Sequence, residues 1–130
     1  MPPASRLRPA LIAAMLWIPL CAFAAEAVIV VQRSPLAGLR HHAGAHLWPQ
    51  MRAGDRLELV REPDNPYDAS AVRVEWRGAK LGYVPRRDNA AVARQMDRGA
   101  ALEARIAALR ENRNRSRRLD IEVVVPLETR

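Results

Sequence analysis

The 130-residue chain has a single cysteine, Cys21, and a single lysine, Lys80. One cysteine excludes an internal disulfide framework and a multi-cysteine zinc site. Catalytic signatures are missing too. There is no Ser-x-x-Lys, no Gly-x-Ser-x-Gly, no His-Glu-x-x-His and no glycine loop built to cradle phosphate. The sequence asks for no cofactor, and a non-catalytic role is expected. Asp64 and Asp68 form a carboxylate pair only within a loop whose turn chemistry accounts for them. Internal repeats and long linkers are also lacking. A membrane-spanning helix needs about 20 apolar residues, and the apolar stretch here, bracketed by Pro9 and Pro19, is too short.

What that stretch does resemble is an export signal. Residues 1–8 carry Arg6 and Arg8 and no acid, residues 9–20 are uncharged and apolar, and Ala22-Phe23-Ala24 supplies the A-x-A pattern before a cut. A signal peptide is therefore expected over residues 1–24, with a periplasmic or secreted product and no stable membrane insertion after cleavage. Leu20 before Cys21 fits a lipobox poorly, because that motif wants a small residue there. Cleavage after Ala24 removes the only thiol, which suits an oxidising compartment. The remaining residues, 25–130, suffice for one domain with a modest core.

Net charge is +7, of which Arg6 and Arg8 contribute two units. An acidic partner follows naturally: nucleic acid, anionic lipid or an envelope polyanion. Nearly every basic residue is arginine, however, and alanine is abundant, as GC-rich coding produces. Charge alone does not choose among these partners.

Period-two patterning dominates the rest. Strands are expected at residues 27–33, 56–61, 71–76, 80–84 and 119–125, with a further short one at 39–43. Residues 102–110 have helical composition, yet Leu102, Ala104, Ile106 and Ala108 alternate, so they read as a strand. Residues 62–68 (EPDNPYD) must be a loop, because prolines, asparagine and aspartates do not sit in a central strand. One helix is expected at 90–98, capped by Asp88 or Asn89 and stopped by Gly99. Trp48 and Trp76 are expected in the core. The pattern predicts a mainly β fold: a small OB-like or SH3-like β-barrel of about six strands with one short helix, spanning residues 27–126.

Five segments occur in order: GLRHH from Gly38, Gly54-Asp55, REPDNPYD from Arg61, AVRV from Ala71 and GYVPR from Gly82. Together they resemble the HIRAN domain family over about residues 28 to 126. The resemblance implies a small OB-like barrel that grips the 3′ end of single-stranded DNA in helicase-like remodellers. ATP hydrolysis in that family belongs to fused helicase domains. It also implies roles residue by residue. Arg40 matches an arginine near bound DNA, and Tyr67 matches a stacking tyrosine. His41 stands where DNA-binding relatives carry another stacking tyrosine, a departure that weakens the DNA inference. Asn65 and Asp68 flank Tyr67, and Asp68 suits recognition of a free sugar hydroxyl. Tyr83 and Arg86 fall where relatives place a polar ring and a basic residue near the backbone.

Both a structural and a ligand-binding role stay open for Asn65, Tyr67 and Asp68. The two polar residues can cap their own turn, and the ring can pack on the barrel. Arg40 and Arg86 are read as contacts. The run Arg113, Arg115, Arg117 and Arg118 reads as a solvated hairpin tip. His41, His42 and His46 lie close together, but with no second ligand cluster a metal site is not expected. Two partners are carried forward: single-stranded nucleic acid or another polyanion, and an envelope protein.

Overall fold

A computed structural model describes residues 27–114 and 116–127. The expected signal peptide lies outside these residues. Six strands form the domain: β1 (Val28–Pro35), β2 (Arg56–Arg61), β3 (Val72–Trp76), β4 (Ala79–Tyr83), β5 (Glu103–Glu111) and β6 (Arg117–Pro126). All pair antiparallel, in the order β1-β6-β5-β2-β3-β4. The fold is mainly β, as expected, and consistent with a small OB-like barrel.

Alternation in the sequence becomes two faces. In β3, Val72, Val74 and Trp76 are buried while Arg73 and Glu75 are partly exposed. Their inner face meets Leu57, Leu81, Ile106, Ile121 and Val123 in one continuous core. Each such side chain contributes about 1.5–3 kcal/mol when fully withdrawn from water. Trp76 belongs to this core and its Nε1 donates to Asp55 Oδ2 at 3.2 Å. Trp48 only flanks the core, half-buried. The β3–β4 hairpin turns on two residues, Arg77 and Gly78, both with positive φ (48° and 80°). That geometry matches the twist of the strands it joins.

The two edge strands of the sheet, β1 and β4, come together past the end of β1. Ala37 and Tyr83 exchange both backbone hydrogen bonds, each at 2.9 Å. This pair, with a further bond from the Ala43 N–H to the Lys80 carbonyl at 3.2 Å, draws the sheet into a partly closed barrel.

Two further expectations, besides Trp48 in the core, are corrected. Residues 39–43 are not a strand. Gly38 adopts a left-handed φ of 79°, and the chain coils through a 3₁₀ turn at Leu39–His41, a short helix α1 (Gly44–Leu47) and a second 3₁₀ turn at Trp48–Gln50. A Cβ on Gly44 would overlap the Leu39 side chain, so the glycine lets these turns pack with Leu39 buried. The main helix α2 (Arg86–Asp97) begins about one turn before the expected 90. Pro85, whose fixed φ suits the entry to a helix, precedes it and no side chain caps it. Asp88 lies inside the first turn, where a negative charge complements the helix dipole. Gly99, at φ 83°, ends the helix as read from the sequence, with the Ala100 N–H bonded to the Gln95 carbonyl.

Candidate functional site

The β2–β3 loop is braced mainly by its own polar side chains. Its neck closes through Glu62 N–H to the Ala71 carbonyl at 3.0 Å. Asn65 Oδ1 accepts the N–H groups of Tyr67 (2.9 Å) and Asp68 (3.3 Å), and Asn65 Nδ2 donates to Glu62 Oε1 at 3.0 Å. Asn65 is thereby occupied in holding the turn, the structural role left open for it. Asp68 Oδ1 accepts the Ser70 N–H at 2.9 Å.

A second set of bonds pins this loop to the start of α2. Asn89, buried on α2, donates its amide to Asp68 Oδ2 at 2.7 Å. Arg86 donates to the Tyr67 carbonyl at 2.6 Å, and its Nε lies 3.9 Å from Asp68 Oδ2. Every bond to Tyr67 thus uses its backbone. Tyr67 as a residue is left 83% exposed, so its ring contributes little to the barrel.

Between this loop, Ala37–Gly38, Tyr83–Val84 and α2 lies a cavity of about 440 Å³. Ala37, Pro66, Ala71 and Val84 make part of its wall apolar, and Asp68, Arg86 and Asn89 supply polar groups. At the loop's neck, Glu62 gathers three donors: Asn65, the Tyr83 hydroxyl at 3.0 Å and Arg73 at 2.8 Å. Burial raises the Glu62 carboxyl, but Asn65, Tyr83 and Arg73 together bring it below its usual value. The Ser70 N–H and Asn89 hold the Asp68 carboxyl low, helped by Arg86 and Arg61 against a burial penalty. Both are anions at neutral pH. His42, whose ring meets Tyr83 edge-on at 6.2 Å, is held below the usual histidine value by burial and then by Lys80 and His41. It is a neutral ring at neutral pH.

Asn65, Tyr67, Asp68, Tyr83 and Arg86 all line this cavity. Arg40 does not. It borders a separate groove with Leu39, Gly44, Ala45, Ser116 and Arg117. His41 is exposed on the 3₁₀ turn beside Arg40 and lines neither space. Sequence reasoning missed Gly38 and Asn89 as lining residues, Glu62 as the hub and His42 as the ring against Tyr83. Asn89 drew notice only as a helix cap, and nothing local in the sequence pairs it with Asp68. Among the described residues, no three His, Cys, Asp or Glu side chains gather as a metal site, and no helix is long and apolar enough to cross a membrane.

The model of one family, the HIRAN domain, matches residues 29–128. The chain belongs to the HIRAN domain family. The mouse helicase-like transcription factor is 36% identical over 66 residues, half of this chain. The chain spans only 6% of that relative's length. Two solved structures share the fold. A protein from Lactobacillus plantarum superposes with a TM-score of 0.67 at 27% identity, covering 81% of this chain and all of the other. The HIRAN domain of human HLTF superposes with a TM-score of 0.59 at 23% identity, covering 75% and 77% of the two chains.

Proposed function

We propose that this HIRAN domain is a non-catalytic nucleic-acid-binding module whose cavity takes the free end of a single strand. The observation that carries the reading is the Tyr67 ring, unpacked and standing over a cavity that holds a fixed carboxylate and a guanidinium. A terminal base stacks on Tyr67, an interaction worth about 1–3 kcal/mol. The terminal sugar hydroxyl donates to the Asp68 carboxylate, which keeps acceptor capacity beyond its bonds to Ser70 and Asn89. A chain continuing past that hydroxyl would bring a phosphate against this anion, and the repulsion selects ends. Arg86 meets the last phosphate while still holding the Tyr67 carbonyl. Membership of the family, and a relative named as a helicase-like transcription factor, favour nucleic acid over other polyanions.

Fluorescence anisotropy with labelled single-stranded DNA tests the reading. A 3′ hydroxyl end is expected to bind more tightly than a 3′ phosphate end at near-physiological salt. Binding that ignores the end and vanishes at moderate salt would refute end recognition. It would turn attention to a second reading, an exported domain that binds an envelope protein or anionic polymer. The observation favouring that reading is the basic, then apolar, then A-x-A order of residues 1–24. Cell fractionation with N-terminal sequencing of the recovered protein tests it, with a new terminus at Ala25 as the expected result.

A further inference from the structure

The groove beside Arg40 is a place of its own in the fold. It encloses about 330 Å³ between the turns after β1 and the β5–β6 hairpin. Gly38 lines the cavity described above, whereas the next two residues, Leu39 and Arg40, line this groove. The 3₁₀ turn Leu39–His41 is therefore the ridge between the two spaces, with Arg40 and His41 exposed on it.

The groove's far wall is the basic hairpin. Arg117 is clamped there: it donates from Nη1 to the Ala45 carbonyl at 3.1 Å, and its guanidinium lies 5.4 Å from the Trp48 ring centre. Its Nε faces Glu111 at 3.4 Å, an exposed pair that contributes little. The second terminal nitrogen has no protein acceptor among the described residues. A guanidinium held over an indole, with one edge open, is prearranged for a phosphate. Arg40 likewise has no acidic partner among the described residues, whereas Arg110 and Arg118 are both tied to Asp120.

We infer that the groove is a second phosphate subsite, and that a single strand ending in the cavity crosses the Arg40–His41 ridge and lays its backbone against Arg117. The inference rests on the single-strand reading of the cavity and extends its footprint. Charge complementarity and continuity across one turn of chain both favour the same polymer in both spaces.

The test uses the full chain with 3′-hydroxyl thymidine oligomers of two lengths, a trimer and a dodecamer. Arg117→Gln removes the clamped cation. Ser116→Glu adds a negative charge at the groove while keeping the backbone bond from Asn112 that closes the hairpin. Each variant is expected to weaken dodecamer binding by about tenfold and leave trimer binding unchanged. The salt slope for the dodecamer falls by about 0.7 for each phosphate left without its cation. If both variants bind both lengths like the wild type, while Tyr67→Ala still weakens the trimer, the groove is excluded and the cavity reading stands. A wild type that binds neither oligomer overturns both readings. Heparin bound through Arg117 in their place also overturns this assignment and gives the groove to another polyanion.

Discussion

Gly82 tests how far the Ala37–Tyr83 backbone pair holds the barrel closed and shapes the cavity. A Cβ at this buried position would overlap the Ala37 carbonyl oxygen and lie 3.2 Å from Leu36 Cγ. The obstacle is backbone, so relief requires the segment around Ala37 to move off β4. Gly82→Ala therefore opens the Ala37–Tyr83 pair and breaks its two hydrogen bonds. At about 1 kcal/mol each, with a further penalty if the freed groups stay buried, the cost is about 2–4 kcal/mol. That is a large part of the total stability of a small domain, about 5–15 kcal/mol. Gly99→Ala is the control. Gly99 has φ 83° but open space around it, so its substitution costs only the left-handed strain of about 1 kcal/mol. Urea unfolding should place the Gly82→Ala midpoint well below that of Gly99→Ala. Because Ala37 and Gly38 wall the cavity, single-strand binding should fall in the first variant and not in the second. Equal midpoints would show that the closing pair does not tie the segment after β1 to β4.

Three further outcomes are expected. Tyr67→Ala should weaken single-strand binding by about tenfold or more, with an unchanged urea midpoint because the ring is almost wholly exposed. Glu62 and Asp68 have folded values below their unfolded ones. The stability they contribute is then fully present above the ordinary carboxylate range, about pH 4, and is lost as pH falls through their lowered values. Asp68→Asn should flatten that acid limb in unfolding titrations followed by circular dichroism, and a wild-type stability that rises on acidification would contradict the sign. Trp76→Phe keeps most of the buried ring but leaves Asp55 without the indole N–H. A loss of about 1–3 kcal/mol in urea unfolding is expected, from the lost bond and the smaller buried ring, and no change in DNA binding.

Strand periodicity was legible because burial on one face leaves a period of two in the chain, as in Val72, Val74 and Trp76. Residues 102–110 show the same rule overcoming helical composition: Ala104 and Ile106 are buried in β5. The 39–43 segment misled because Leu39 and its neighbours have no periodicity of their own. Their coil depends on Gly38 at positive φ and on Gly44 yielding room to Leu39. The helix start misled because Asp88 and Asn89 have the chemistry of caps, but Pro85 opens the helix first and Asn89 is turned inward to Asp68.

By itself the sequence determined the faces of β3 and the inner part of β5, the β2–β3 loop, the helix stop at Gly99 and the resemblance to the HIRAN family. These follow from local preference and from spacing along one stretch of chain. Tertiary structure alone decided the rest. It joined Ala37 to Tyr83, brought Asn89 and Arg86 against a loop some twenty positions away, and parted Arg40 from Tyr67 by a single turn. It also left the Tyr67 ring in solvent while using its backbone. Such choices depend on which distant segments meet when the sheet curls, and that is set by the packing of the whole core.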